Sequence, residues 1–241
     1  MYYRDGMYSM RARIGVIAPL DDQVEYAFNK YAPAGVSFDS TRLSFPGPTP
    51  EGLIYLSDQL EEAAKMYAKK RHDVVLFGCT SGSCIKGYGF DKECIQRIER
   101  ASGWPGLTTS TAVLEAFQAL GLSKTVVMTP YPDETNEAEK KFLEDNGLEV
   151  TSITGVGFNK VGEFSHPSKY FLYRKAKQLK TEGAEVFFLS CMGLATMELG
   201  ESLEEDLGMP VITSHQASLW ACLRHSRVND KLPGLGKLFT I

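Results

Sequence analysis

The sequence predicts an α/β protein made of two similar parallel-sheet domains related by a pseudo-twofold axis. Two stretches, 74–81 and 186–193, carry this prediction, since each begins with an apolar run of strand length that stops at a cysteine. Such a run with turn residues behind it is typical of a strand buried on both faces of a parallel sheet. Each run is followed closely by a cysteine, Cys79 in the first half and Cys191 in the second, 112 residues later.

Two further pairs of residues repeat at nearly the same interval. Pro19 and Pro130 end matching strands 111 residues apart, and Ser110 and Ser214 lie 104 residues apart, each between a short strand and an apolar helix. This period is far too long for a solenoid and indicates an internal duplication. Because alternating strands and helices form right-handed βαβ units, we expect the strand ends of both halves to face one cleft.

In the first half, a strand at 13–18 ends at Pro19 and no GxGxxG follows it, so a dinucleotide site has no motif. The next elements are a helix at 22–32, a strand at 36–43 and a helix at 50–71. Thr49 and Pro50 suit the start of that last helix, as N-cap and first helical residue. After the cysteine come a glycine-rich loop at 82–89, a helix opened by Asp91, and a strand at 107–109. Ser110 is predicted to cap a helix at 111–120.

The second half repeats this pattern. Strands are predicted at 124–129, 148–153 and 210–213, with the cysteine strand between the last two, and 155–165 is predicted to be a loop. Helices are predicted at 132–146, 167–182, 196–207 and 216–224, the last capped by Ser214. We place the domain boundaries so that residues 1–112 and 217–241 form the first domain and residues 113–216 the second.

Composition favours a cytoplasmic enzyme or binding protein. A net charge of −4 gives no electrostatic reason to expect nucleic acid or an anionic membrane as partner. No apolar run approaches the roughly 20 residues that cross a bilayer, and the first residues lack the apolar core of a signal peptide. The five cysteines are therefore expected to be reduced thiols.

The paired cysteines predict chemistry on two faces of a small planar substrate. One thiolate would take a proton from a carbon, or add to it, while the other thiol delivers a proton from the opposite face. That arrangement supports racemisation, cis–trans isomerisation or protonation of a carbanion without a cofactor. Because a free thiol has a pKa of ~8.5, we expect backbone N–H groups behind each strand to stabilise the thiolates.

Hydroxyl groups lie at the same strand ends. Thr80, Ser81 and Tyr131 are candidate donors to an enediolate, the charge that develops when a proton or carbon dioxide leaves the carbon next to a carboxylate. His215 also follows a strand, where a structural cap is favoured over a substrate contact. The cysteines without a symmetric partner are interpreted as packing residues: Cys84, Cys94 and Cys222. No ligand spacing supports zinc.

Six motifs in this order resemble the aspartate/glutamate racemase superfamily, and within it the branch that holds arylmalonate decarboxylase and maleate cis–trans isomerase. The resemblance covers about residues 13–225, and its motifs lie at Pro19, 78–81, 110–114, 129–131, 190–193 and 208–211. It implies a two-domain, flavodoxin-like fold with the active site in the interdomain cleft. It also implies that no metal or organic cofactor is needed and that a homo-oligomer is possible.

The resemblance also implies roles for individual residues. Thr80, Ser81 and Tyr131, with the backbone amides of Ser81 and Met192, match the carboxylate-binding dioxyanion hole of the family. Cys191 matches its proton-donating cysteine.

Pro19, Gly193 and Asn159 complete the predicted substrate-binding set. Cys79 separates the branches, since arylmalonate decarboxylase has glycine there and the isomerases and racemases keep cysteine. The isomerases tend to place serines and an asparagine after the proline of the first strand, whereas this chain continues Leu20-Asp21-Asp22.

The leading hypothesis is therefore a cofactor-independent isomerase or racemase, similar to maleate cis–trans isomerase, acting with Cys79 and Cys191 at the carbon next to a carboxylate. The substrate is a small carboxylic or dicarboxylic acid, and the choice between a dicarboxylate and an aryl-substituted acid stays open. A decarboxylase similar to arylmalonate decarboxylase is the second hypothesis. A non-catalytic binding or thiol-redox protein on the same fold is the alternative of another class.

Overall fold

The chain forms two four-stranded parallel sheets flanked by helices, in a computed structural model that describes residues 9–20, 23–158 and 160–241. The strands of the first sheet are Ala12–Pro19 (β1), Val36–Leu43 (β2), Val74–Phe77 (β3) and Gly106–Thr108 (β4). Those of the second sheet are Lys124–Thr129 (β5), Glu149–Gly155 (β6), Val186–Leu189 (β7) and Val211–Thr213 (β8). The strand orders, β2-β1-β3-β4 and β6-β5-β7-β8, are equivalent. The prediction of two similar flavodoxin-like α/β domains is confirmed.

Helices connect the strands in both halves. They are Val24–Tyr31 (α1), Pro50–Asp58 (α2), Leu60–Lys65 (α3), Thr80–Cys84 (α4), Phe90–Ser102 (α5), Thr109–Leu120 (α6), Asp133–Asp145 (α7), Lys169–Ala176 (α8), Gly200–Leu207 (α9) and Ser214–His225 (α10). Short 3-10 turns at Met197–Leu199 and Lys237–Thr240 precede α9 and end the chain.

The two cysteine strands are interior strands of their sheets. All four residues of β3 and all four of β7 are fully buried, because each strand has a hydrogen-bonded neighbour on either side and packed side chains above and below. This burial explains why both runs are apolar without alternation.

The helices behind β4 and β8 begin two residues earlier than predicted, at Thr109 and Ser214. Thr108 Oγ1 accepts a hydrogen bond from the Thr111 amide at 3.1 Å, and Thr213 Oγ1 accepts one from the Gln216 amide at 3.1 Å. The threonine that ends each strand is therefore the N-cap. Ser110 and Ser214, predicted as caps, lie inside the first helical turns, where their hydroxyls make contacts within the core.

Other helices also differ from the prediction. The segment 82–89 was predicted to be a loop, but its first three residues belong to α4. The predicted helix 50–71 divides at Gln59, whose side-chain amide bonds the backbone of Ser44 and Tyr55. The predicted helix 167–182 is confined to α8, because the amides that follow it bond carbonyls three residues back and tighten the chain into turns.

The two sheets meet through α6 and α10, which pack against each other. Residues of both helices share one apolar cluster with Cys84 of α4 and with β5 and β7. The proposed boundaries at 112/113 and 216/217 fall within these two helices and remain a prediction. In the part of the chain that the structure describes, no helix has the length and apolar character that crossing a membrane requires.

Candidate active site between the two sheets

A small cavity lies where the carboxyl ends of β1, β3, β5 and β7 approach one another. The space left in it for water-sized molecules is about 10 Å³, and its lining residues are Pro19, Phe45, Cys79, Thr80, Ser81, Tyr131, Phe164, Cys191 and Met192. Both predicted thiols thus line one cavity, and they come from different sheets. A larger cavity of about 240 Å³ lies beside α1 and Met197–Leu199 and has no thiol in its lining. The smaller cavity is the one that carries the predicted chemistry.

Cys79 is the N-cap of α4, two residues past the end of β3. Its Sγ accepts a hydrogen bond from the Gly82 amide at 3.3 Å, in the place where a serine or aspartate oxygen would usually cap a helix. A Cβ on Gly82 would lie 2.9 Å from this sulfur, so the close approach requires glycine. The first amide groups of the helix stabilise negative charge on the thiolate.

Cys191 occupies the equivalent position, two residues past the end of β7, in a strained backbone. Its φ of 108° is rare for any residue other than glycine and costs about 1–3 kcal/mol. The Cys191 amide donates to Ser214 Oγ at 3.0 Å, and its Sγ accepts from the Gly193 amide at 3.2 Å. The surrounding hydrogen bonds hold this unusual geometry, which directs the thiol into the cavity.

The three predicted hydroxyl donors line the cavity, but they are not equally available to a ligand. The Thr80 hydroxyl donates to Ser214 Oγ at 2.9 Å, so its proton is engaged across the two halves. The Tyr131 side chain is hydrogen-bonded to that of Cys191. Burial, and then the nearby Cys191, raise the pKa of Tyr131 well above its usual value, so the phenol remains a neutral donor. Ser81 follows the N-cap and presents its amide before the first intrahelical hydrogen bond.

The remaining predicted binding residues have different outcomes. Pro19 and Met192 line the cavity. Gly193 does not line it, because its amide is directed to the Cys191 sulfur. Asn159 lies outside the described residues, as do Asp21 and Asp22.

The three other cysteines are buried thiols in apolar surroundings, as expected of packing residues. Burial raises the pKa of Cys94 to about 12 and raises those of Cys84 and Cys222 well above the ordinary thiol value. These thiols are therefore poor nucleophiles. Within the described residues, no group of three or more His, Cys, Asp and Glu side chains is arranged to hold a metal ion.

His215 is neither a cap nor a residue of the thiol cavity. Thr213 caps the helix, and His215 lines the larger cavity, with its Nδ1 3.4 Å from Thr196 Oγ1. Burial lowers the pKa of His215 to about 4, so its imidazole is neutral.

Three residues at or behind the site were not predicted from the sequence, and a fourth, Ser214, was predicted only as a helix cap. Phe45 and Phe164 line the cavity with ring centroids 6.3 Å apart, and both come from loops, where apolar periodicity gives no signal. Ser214 links Thr80 to the Cys191 amide. Glu139 is a fully buried carboxyl on α7; its only sequence signal is a charged residue on the otherwise buried face of an amphipathic helix.

The fold and the site define a two-domain α/β protein with two thiols facing one cavity between its sheets. The family model described as arylmalonate decarboxylase matches residues 14–239. The chain belongs to the arylmalonate decarboxylase family.

Characterised relatives include proteins of two activities. The chain is 29% identical over 205 residues to arylmalonate decarboxylase of Bordetella bronchiseptica, covering 84% of this chain and 85% of that protein. It is 25% identical over 249 residues to maleate isomerase of Nocardia farcinica, covering 94% of each. A solved structure of liganded arylmalonate decarboxylase, with a glycine replaced by cysteine and a cysteine by serine, has a TM-score of 0.89 at 28% identity, covering 95% of this chain and 98% of that one. The similarities support both functional hypotheses.

Proposed function

We propose that this protein is a cofactor-independent isomerase or racemase that exchanges a proton at the carbon next to a carboxylate, with Cys79 and Cys191 as its two acid–base groups. The observation that carries the proposal is that the two thiols, at equivalent strand ends of two equivalent sheets, line the same small cavity.

The proposed reaction needs one thiolate and one thiol. In racemisation, the thiolate takes the proton from the carbon, and the electron pair of that bond moves into the carboxylate as an enediolate. The second thiol then protonates the opposite face and becomes the thiolate, so that the enzyme returns with its protons exchanged. The hydroxyls of Ser81 and Tyr131 and the first amides of α4 are suited to hold the enediolate oxygens.

The same pair of thiols would also support cis–trans isomerisation. The Cys79 sulfur would add to one alkene carbon while the Cys191 thiol protonates its neighbour, which leaves a single bond free to rotate. Return of that proton to Cys191 and loss of the carbon–sulfur bond would release the other isomer.

The lining of the cavity favours an acid with an apolar substituent. Apart from the thiols and hydroxyls, the described lining residues are Pro19, Phe45, Phe164 and Met192, and none of their side chains carries a hydrogen-bond donor for a second carboxylate. A buried carboxylate without a partner is costly to bind. We therefore propose a small monocarboxylic acid bearing an apolar or aryl group, with a dicarboxylate such as maleate as the next choice.

Incubation in D2O, followed by NMR, tests the proposal. The panel contains maleate and the separate enantiomers of 2-arylpropionates, aspartate and glutamate. We expect deuterium at the carbon next to the carboxylate, together with interconversion, for at least one of these acids. No conversion and no deuterium uptake across the panel would refute the proposal for these substrates.

Decarboxylation of an arylmalonate is the second candidate, favoured by the family and by the apolar lining of the cavity. Here a carbon–carbon bond breaks, carbon dioxide leaves, and Cys191 protonates the enediolate. This activity requires only one thiol, so we expect Cys79→Gly to retain carbon dioxide release and Cys191→Ala to abolish it. Release that persists in Cys191→Ala would exclude this mechanism.

A non-catalytic thiol-redox role is distinguished by substrate protection. If iodoacetamide labels Cys79 and Cys191 and no acid of the panel slows the labelling, the redox hypothesis gains. We keep a cytoplasmic location and a homo-oligomer as proposals, with a small acid as ligand and neither nucleic acid nor membrane as partner. Cell fractionation tests the location, and light scattering tests the oligomeric state.

A further inference from the structure

A carboxyl group lies buried behind the cavity, outside the set of residues that lines it. Glu139 of α7 is 1% exposed, and within the described residues neither of its carboxyl oxygens has a hydrogen-bond partner of good geometry. The Ser190 hydroxyl faces this carboxyl, is itself buried, and likewise has no partner of good geometry in the described chain. Ser190 is the residue immediately before Cys191.

Glu139 lies between elements of both halves. It acts electrostatically on Cys84 of α4, whose helix also carries Cys79 at its N-cap, and on Tyr131, which is hydrogen-bonded to Cys191. Burial raises the pKa of Glu139 to about 7, against a small opposing effect of the Ser190 hydroxyl.

Among the residues that the structure describes, no cation balances Glu139. No charged side chain of the described residues is close enough to move its pKa. The titratable groups of the packed elements are Cys84 on α4 and Tyr131 after β5; on β6, Glu149 is exposed and paired with Lys124.

A leucine at this position would fill the space at lower cost, because an unpaired buried acid is unfavourable. An unpaired acid buried directly behind a site departs from the rule that buried charged groups are paired, and such a departure indicates a role in that site. We propose that Glu139 is a positioning residue that keeps a proton beneath the cavity, donates it in a hydrogen bond to Ser190, and disfavours thiolate formation at Cys191 when it ionises.

The protonated carboxyl is the form that matches its surroundings. Its O–H supplies the donor that Ser190 Oγ lacks, which fixes the residue before the strained Cys191. After loss of the proton, a negative charge lies behind Cys191 and Tyr131 with nothing to neutralise it. At low effective dielectric, such a charge opposes a second negative charge on the thiol. This inference rests on the proposed function, which needs one thiolate. Ionisation of Glu139 therefore limits the reactivity of Cys191.

Three variants separate charge from structure. Glu139→Gln keeps the shape and a donor for Ser190 but cannot ionise, and Glu139→Leu removes both donor and charge. Glu137→Gln removes an exposed carboxylate two residues away on the same helix and is the matched control. Thermal unfolding establishes that each variant is folded before it is compared.

The readout is the rate at which iodoacetamide labels Cys191 between pH 5.5 and 9, with each cysteine resolved by peptide mass mapping. We expect wild type and Glu139→Gln to coincide below about pH 6 and to diverge above pH 7, where the variant reacts several-fold faster. Glu139→Leu would show the same gain above pH 7 if it folds, and Glu137→Gln would follow wild type. Identical profiles for wild type and Glu139→Gln at every pH would overturn the proposal.

Infrared difference spectra supply a second readout. We expect a protonated-carboxyl band at pH 6 in wild type and in Glu137→Gln, and we expect this band to be missing from Glu139→Gln. Absence of the band from wild type would also overturn the proposal. Neither measurement uses a substrate. An altered labelling profile without turnover of any acid would therefore refute the proposed function and leave the role of Glu139 intact. Turnover of an acid with an unaltered labelling profile would refute the role of Glu139 and leave the proposed function intact.

Discussion

Thr80 Oγ1 donates a hydrogen bond to Ser214 Oγ at 2.9 Å, and Ser214 Oγ also accepts a hydrogen bond from the Cys191 amide at 3.0 Å. One hydroxyl thus connects the helix that follows the first thiol to the strained residue that carries the second. The relative position of the two sulfurs depends on this contact.

Ser214→Ala removes the acceptor of both hydrogen bonds. We expect a loss of about 1–3 kcal/mol in the free energy of unfolding, because a buried amide and a buried hydroxyl lose their partner. We also expect proton exchange to slow by about tenfold or more, since the thiols lose their fixed separation.

Ser110→Ala is the matched control for this change. Ser110 Oγ donates to the Thr80 carbonyl at 2.9 Å and is also buried, and its other hydrogen bonds are to Ser83. It should cost similar stability in urea unfolding and leave exchange nearly unchanged. Equal losses of exchange in both variants would contradict a specific role for Ser214.

The two-thiol mechanism predicts complementary one-sided exchange. Cys79→Ser and Cys191→Ser should each slow interconversion by at least about 10²-fold, because a serine hydroxyl is a much weaker acid–base group at neutral pH. In D2O, each variant should exchange the proton of one enantiomer only, and the two variants should prefer opposite enantiomers. The same preference in both variants would refute chemistry on opposite faces.

The backbone of Cys191 predicts a stability difference between two inactive variants. A residue with a Cβ is strained at a φ of 108°, whereas glycine is not. Cys191→Gly should therefore be more stable than Cys191→Ala by about 1 kcal/mol in denaturant unfolding. A lower stability of the glycine variant would show that the conformation is not strained.

Gly82 predicts that activity depends on space beside the first sulfur. Gly82→Ala places a methyl group about 2.9 Å from Cys79 Sγ and must displace the thiol. We expect slower labelling of Cys79 and at least a tenfold loss of exchange. A control is Gly87→Ala, at a left-handed glycine of the turn after α4, where nothing lies near the added methyl. It should cost only stability.

Glu139 and His215 predict opposite effects of pH on stability. The folded state raises the pKa of Glu139 from 4.5 to about 7, so the folded protein keeps a proton that the unfolded chain releases, and stability falls as pH rises through that range. The lowered pKa of His215, about 4, makes stability fall instead as pH drops below 6.5.

These two contributions have opposite signs in wild type, and a variant of Glu139 separates them. Relative to wild type, Glu139→Gln should gain about 3 kcal/mol in free energy of unfolding between pH 4.5 and 7. Urea titrations at several pH values measure this difference, and Glu137→Gln should run parallel to wild type. A constant offset between Glu139→Gln and wild type would mean that Glu139 is ionised throughout.

Local sequence patterns were enough to predict the duplicated α/β fold, the strands that carry Cys79 and Cys191, and most of the hydroxyl groups near them. They were enough because burial on both faces and turn residues at strand ends leave a local record in the chain. Helix boundaries were less well predicted where a contact with another segment intervenes, as at Gln59, whose side chain bonds the backbone of Ser44.

The surroundings of the thiols became visible only in the folded molecule. Phe45 and Phe164 come from loops without periodicity, Ser214 acts through partners distant in sequence, and Glu139 is buried on α7, which packs against β6 and α4. Local patterns identify which elements form. The environment of a buried group is set by contacts between residues far apart in the chain, and these exist only in the folded molecule.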